Sequence, residues 1–215
     1  MKKTLIAFLV CCPLVCMGQS EWETPNANKK QTEIKESMPS NEANKEIKDW
    51  KYIQKDAVPE QDGKVVFSAD IEAKGKNAQQ IYNIIYNVLD TLAKSENQIR
   101  SGIALINKKE HIIAAKYSEW LTFSKNVLAL DRTKFNYTIV ATCTDNLLNV
   151  TLSRISYDYE EDRPTGFHAS AEKMINDKNA VNKKRTKLIV GNAKFRRKTI
   201  DRKDQIFDII KKSME

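Results

Sequence analysis

The chain has 215 residues, with 36 Lys and Arg against 28 Asp and Glu, for a formal net charge of +8. That length suits one sizeable domain or two small ones. Six glycines without a G-x-x-x-x-G-K-S/T or G-x-G-x-x-G spacing exclude a phosphate-cradling loop, and only one cysteine, Cys143, lies beyond residue 16, which excludes a cysteine zinc cluster there.

Met1-Lys2-Lys3, an apolar run from Leu5 to Val15 and then Met17-Gly18-Gln19 predict a cleavable secretory signal peptide over residues 1–18. The run is shorter than the about 20 residues a bilayer span needs, so no transmembrane span is expected in the mature form. The expected location is outside the cytoplasm: periplasmic, outer-envelope-associated or secreted. A lipid anchor on Cys16 is the second reading; Val15, not a small residue, precedes it. Cleavage leaves Cys143 alone, so stability must come from an ordinary core rather than a disulfide.

Residues 19–63 are rich in Asn, Lys, Glu, Gln and Ser and carry a net charge of −3. So few apolar residues cannot offset the ordering entropy, which predicts a polar flexible tether. Its patch from Ile47 to Ile53 can dock on the domain or on a partner.

The domain is expected over residues 64–215. Val65, Phe67, Ala69 and Ile71 alternate with polar residues, predicting a half-buried strand. Asn77, with Gln80 three residues on, opens a helix whose stripe is Ile81, Ile84, Ile85, Val88, Leu89 and Leu92. Two strands follow, over 100–107 and 111–123, joined by Lys108-Lys109-Glu110. A hairpin turning at Asp145-Asn146 sets Cys143 opposite Leu148, Ala141 opposite Val150 and Ile139 opposite Leu152. The apolar phase then slips by one, which predicts a β-bulge near Ser153-Arg154.

Residues 163–215 carry a net charge of +9. A short helix is expected around 169–176. A final helix is expected to be capped by Asp201, with Ile206, Phe207, Ile209, Ile210 and Met214 inward. The order is strand, helix, four antiparallel strands, helix. It predicts an α+β fold with both helices on one face of a curved sheet.

Asp62-Gly63-Lys64-Val65-Val66-Phe67-Ser68, the Ile81–Leu92 helix, Ile155-Ser156-Tyr157-Asp158-Tyr159-Glu160 and Lys194-Phe195-Arg196-Arg197-Lys198-Thr199-Ile200-Asp201 occur here in that order. In this the chain resembles domain-of-unknown-function family 4468, exported bacterial proteins with a TATA-binding-protein-like fold. The resemblance spans about Asp62 to Met214. It implies that fold and no activity, and the fold name does not imply DNA binding.

Catalysis needs a nucleophile beside a base or titratable groups pushed apart in pKa. His111 and His168 have neither triad nor metal spacing, and Cys143 falls on the inward face of its strand. Asp158, Glu160, Glu161 and Asp162 lack the spaced ligands and glycine of a calcium loop. The candidate binding residues are basic: Lys183, Lys184, Arg185 and Lys187, then Lys194, Arg196, Arg197 and Lys198 around Phe195. The bland reading is a solvated face with Phe195 in the core. The expectation is a non-enzymatic interaction module of the bacterial cell envelope without a cofactor. Its partner would be an envelope protein, a glycan or an anionic lipid head group, not nucleic acid. The alternatives are a hydrolase acting on envelope material and a carrier with an apolar pocket.

Overall fold

Alternating apolar and polar residues build the sheet. In the computed structural model, which describes residues 49–125 and 130–215, they form eight strands. The signal peptide, Cys16 and the tether up to residue 48 lie outside the described residues.

Helical residues 49–53 (α1) lead into a hairpin of β1 (Glu60–Gln61) and β2 (Lys64–Val65). β3 (Phe67–Glu72) follows, then helix α2 (Ala78–Ala93). Next come β4 (Gly102–Asn107), β5 (Ile112–Lys125), β6 (Leu130–Thr144) and β7 (Leu147–Tyr159). A short β8 (Phe167–Ser170) and helical turns α3 (Ala171–Met174) and α4 (Asp177–Ala180) precede the last helix, α5 (Val190–Met214). The sheet is antiparallel throughout, in the order β3-β7-β6-β5-β4. β8 pairs with the second half of β7, whose first half pairs with β3.

The hairpin register is as expected: Cys143 pairs with Leu148, Ala141 with Val150 and Ile139 with Leu152, and Asn146 takes the positive φ of the turn. The bulge is present as well. Asn136 pairs with Ser156 but Thr138 with Ser153, and Arg154 in between has φ +55°. α2 opens with a complete capping box: the Gln80 N–H donates to Asn77 Oδ1 and the Asn77 N–H to Gln80 Oε1, each at 2.9 Å.

α2 and α5 touch each other and cover one face of the sheet. Beneath them Phe135, Ile139, Leu148, Leu152, Ile155 and Tyr157 are fully buried together with Ile81, Ile85 and Leu89 of α2. The alternate residues of the strands form the other face, which is rich in Ser, Thr and Asn; no helix of the described residues covers it.

Two expectations change. The last helix begins at Val190, not at Asp201, so the basic run 194–198 is helical. The apolar stripe continues upstream through Ala193, Phe195 and Ile200, but it is broken by two buried polar residues, Arg196 and Thr199. Thr199 is satisfied by a 2.7 Å hydrogen bond with the Tyr157 hydroxyl. The domain also begins before residue 64. Residues 49–58 pack on it, with Ile53 buried among Val181, Leu188 and Ala193, and Val58 in the main core.

Candidate functional site

Half of the eight basic candidates are held inside the fold, and around α5 they form an internal clamp. Arg196 has 0% of its surface exposed. It donates to the carbonyls of Tyr52 and Ile175, each at 2.6 Å, and to Asp177 Oδ1 at 2.7 Å. Burial pulls its guanidinium below the ordinary value, against the opposing pull of Asp177. Arg197 grips both carboxylate oxygens of Asp49, and Arg185 joins Asp177 to the Ile53 carbonyl. Lys51 and the Tyr52 hydroxyl both donate to Asp201.

Lys194 is also engaged. Burial lowers its pKa, but hydrogen bonds to Tyr159 and Asp131 overcome this and hold it above the ordinary value. Its ammonium lies 4.1 Å from the Tyr159 ring centroid and 4.7 Å from that of Phe123. Phe195 is 1% exposed, in edge contact with Phe123, Tyr157 and Tyr159. Lys183, Lys184 and Lys187 remain exposed and Lys198 is half-buried. The nine candidates therefore do not form one anion-binding surface, because burying Arg196 and Phe195 is what closes the fold around α5.

Besides Lys183, Lys184, Lys187 and Lys198, a second group of cations without an ion pair among the described residues lies on the uncovered face of the sheet. Cross-strand pairs set out two rows there: Gly102, Lys116, Thr138 and Ser153 in one, and Ser118, Asn136 and Ser156 in the next. The bulge places Arg154 between them, and Arg100 enters from the loop before β4, its N–H donating to the Ser118 carbonyl. These elements enclose a groove of about 630 Å³ whose lining includes Arg100, Lys116, Arg154, Ser118, Asn136 and Thr138, and no carboxylate. All three cations are exposed, and none makes an ion pair among the described residues. No local sequence run contains them, since they come from three separate elements. The available signals were Lys116 in the polar phase of its strand and an arginine at the predicted bulge.

A family model described as "Domain of unknown function (DUF4468) with TBP-like fold" matches residues 67–158. A crystal structure of a DUF4468 family protein from Bacteroides ovatus ATCC 8483 is 38% identical, with a TM-score of 0.72 over 77% of this chain and 94% of that one. The chain belongs to the DUF4468 family. A TBP-like protein from Parabacteroides distasonis ATCC 8503 shares the fold at 21% identity, with a TM-score of 0.55 over 74% of this chain and 97% of that one. No curated protein matches. The family match takes in β3 to β7, and with them Arg100, Lys116 and Arg154; it ends before α5.

The other titratable groups singled out in the sequence of this DUF4468 chain do not assemble into a catalytic or metal site among the described residues. His168 pairs with Asp158 at 2.5 Å, Glu160 with Arg163 and Glu161 with Lys134, so the acidic cluster is a set of surface ion pairs. His111 sits in the β4–β5 turn at φ +52°. Burial pushes the Cys143 thiol up to about 11, away from the thiolate a nucleophile needs. A second concavity, between β3 and α5, holds Asp70, Glu72, Asp208 and Glu215; Asp70 already accepts from Asn149 and Glu72 pairs with Lys74. Among the described residues no three His, Cys, Asp or Glu side chains converge as metal ligands, and no helix is long and apolar enough to cross a membrane.

Proposed function

We propose that this protein is a non-enzymatic binding module of the bacterial cell envelope and that its contact surface is the uncovered face of the sheet. The observation that carries the reading is the groove of Arg100, Lys116 and Arg154, charged, concave and without a carboxylate. An antiparallel sheet can leave one face in water; on this face Asp158 and Asp70 lie outside the groove lining, where they accept from Asn136 and Asn149. The export-type N-terminal run supports an envelope location. The carboxylates of the β3–α5 concavity are solvated or partnered, and the space between sheet and helices is filled by side chains, which favours binding over hydrolysis or carriage of an apolar ligand.

Photo-crosslinking in cells tests it. A crosslinking residue at Thr142 or Thr151, on the uncovered face, should capture a discrete partner, whereas one at Asn87 on the outer side of α2 should not. Capture from Asn87 alone would refute the reading.

A further inference from the structure

We infer that the groove on the uncovered sheet face is a binding site for an anionic saccharide, a sugar chain bearing sulfate, phosphate or carboxylate groups; this rests on the reading of that face as the contact surface. Three features of the groove define its ligand. Arg100, Lys116 and Arg154 converge there without a carboxylate among them, and like charges held together repel unless an anion joins them. Arginine presents a planar fork that fits an oxyanion through two parallel hydrogen bonds, and lysine adds a point charge. The lining between the cations is Ser118, Asn136 and Thr138; the two hydroxyls give and take hydrogen bonds as sugar hydroxyls do, and Asn136, whose amide donates to Asp158, offers its carbonyl oxygen.

Size and the lack of accessible aromatic faces in the groove separate the sugar from nucleic acid. The volume of about 630 Å³ suits a short oligosaccharide segment. Nucleic acid would need aromatic faces for stacking, but the tyrosines of the groove, Tyr117 and Tyr137, are each only 2% exposed and stack on one another beneath the sheet. Ile99 and Leu105 beside the groove are 42% and 57% exposed, so a bilayer surface is the competing occupant, and the vesicle arm of the titration discriminates it.

Arg154 adds an observation from the backbone. It sits at φ +55°, in the left-handed region that a residue with a side chain avoids, at the one residue by which β7 slips against β6. Glycine would fit the bulge with less strain. An arginine there instead aims a cation at the groove where the fold alone does not need one.

The test is titration calorimetry of the purified protein with a heparin-derived tetrasaccharide, against neutral maltotetraose, inorganic phosphate and phosphatidylglycerol-containing vesicles. The tetrasaccharide should bind with an affinity that falls as salt rises. Arg154→Gln and Lys116→Gln should each weaken it by about tenfold or more, the loss expected for one charge-assisted contact. The triple variant Lys183→Gln, Lys184→Gln, Lys187→Gln should leave it unchanged. Equal loss in that triple variant would overturn the proposal, as would equal binding of maltotetraose, of phosphate alone, or of vesicles that the tetrasaccharide fails to displace. Arg154→Gly removes the side chain while relieving the backbone, so loss of binding in that variant with an unchanged or higher urea midpoint reports the side chain and not the fold. If titration fails while Thr142 still captures a partner in cells, only the saccharide is wrong; if both fail, the contact face is wrong.

Discussion

Arg196 Nε lies 2.6 Å from the carbonyl oxygen of Tyr52, joining positions 144 residues apart in the chain. The same guanidinium closes on Ile175 and Asp177, so one buried side chain holds α5, the turn before α4 and the segment entering the domain. Replacing it would leave two carbonyls without their donor and Asp177 with only Arg185 as its cation.

Arg196→Ala should therefore lower the unfolding free energy by about 3 kcal/mol or more, because an uncompensated buried partner is costly. Lys184→Ala, an exposed neighbour in sequence, should stay within about 0.5 kcal/mol of the parent. Urea midpoints would show the difference. Charge reversal at Lys194, Arg196 and Arg197 should unfold the protein rather than produce a folded module that has lost its partner.

Glu119 is the buried counterpart. Its carboxylate is 0% exposed and accepts from Arg202 at 2.7 and 2.8 Å, Asn97 at 2.9 Å, Gln98 at 2.5 Å and the Tyr137 hydroxyl at 3.2 Å. Glu119→Gln should cost about 3 kcal/mol, and Glu119→Gln with Arg202→Met should cost less than the two single changes added together. A double-mutant cycle with coupling below about 0.5 kcal/mol would contradict the network.

Acid should weaken the fold through Glu172 and Asp158. Burial alone would raise Glu172, but Ser170 and the Val65 N–H, 3.0 Å away, bring it below its ordinary value of 4.5. Burial would also raise Asp158, and His168 and Asn136 bring it below 3.8. The unfolded chain then binds protons more readily than the folded one. Their contribution is complete above the ordinary values and disappears as pH falls through the lower folded ones. Unfolding free energy measured across that range should fall less steeply in Glu172→Gln than in the parent.

Cys143 should be chemically silent in the native state. It is 3% exposed and its thiol is pushed up to about 11. Alkylation near neutral pH, read as mass added to the Cys143 peptide, should proceed only as fast as the β6–β7 hairpin opens, and should accelerate in urea.

Arg154→Gly should raise stability by up to about 1 kcal/mol, since a left-handed residue with a side chain costs about 1–2 kcal/mol and glycine returns part of that as lost flexibility. A higher urea midpoint is the expected result. A lower one would mean that the arginine side chain packs rather than merely projects.

The features legible in the sequence were those built from local rules. Strict alternation plus an Asp-Asn turn sets the β6–β7 register, a one-residue slip in that alternation places the bulge, and Asn77 with Gln80 marks the start of α2. The start of α5 was hidden because no side chain caps Ile189 and because Arg196 and Thr199 occupy positions where a stripe would show apolar residues. Docking of residues 49–53 was hidden because it depends on Asp49, the Tyr52 and Ile53 carbonyls and distant arginines, and carbonyls carry no sequence signal. The groove was hidden for a related reason. Arg100, Lys116 and Arg154 become neighbours only through strand pairing, whereas in the conspicuous runs Arg185, Lys194, Arg196 and Arg197 are held by partners within the fold.

The Arg196 clamp also gives the domain a mechanical polarity. Chain entering at residue 49 meets α5 through Asp49, Lys51, Tyr52 and Ile53 before it reaches any strand. A pull delivered from the N-terminal side is thus borne in shear across several ion pairs on a 25-residue helix, rather than peeling β3 from the edge of the sheet one hydrogen bond at a time. The uncovered face of the sheet lies on the side of the core away from α5 and takes no part in these contacts.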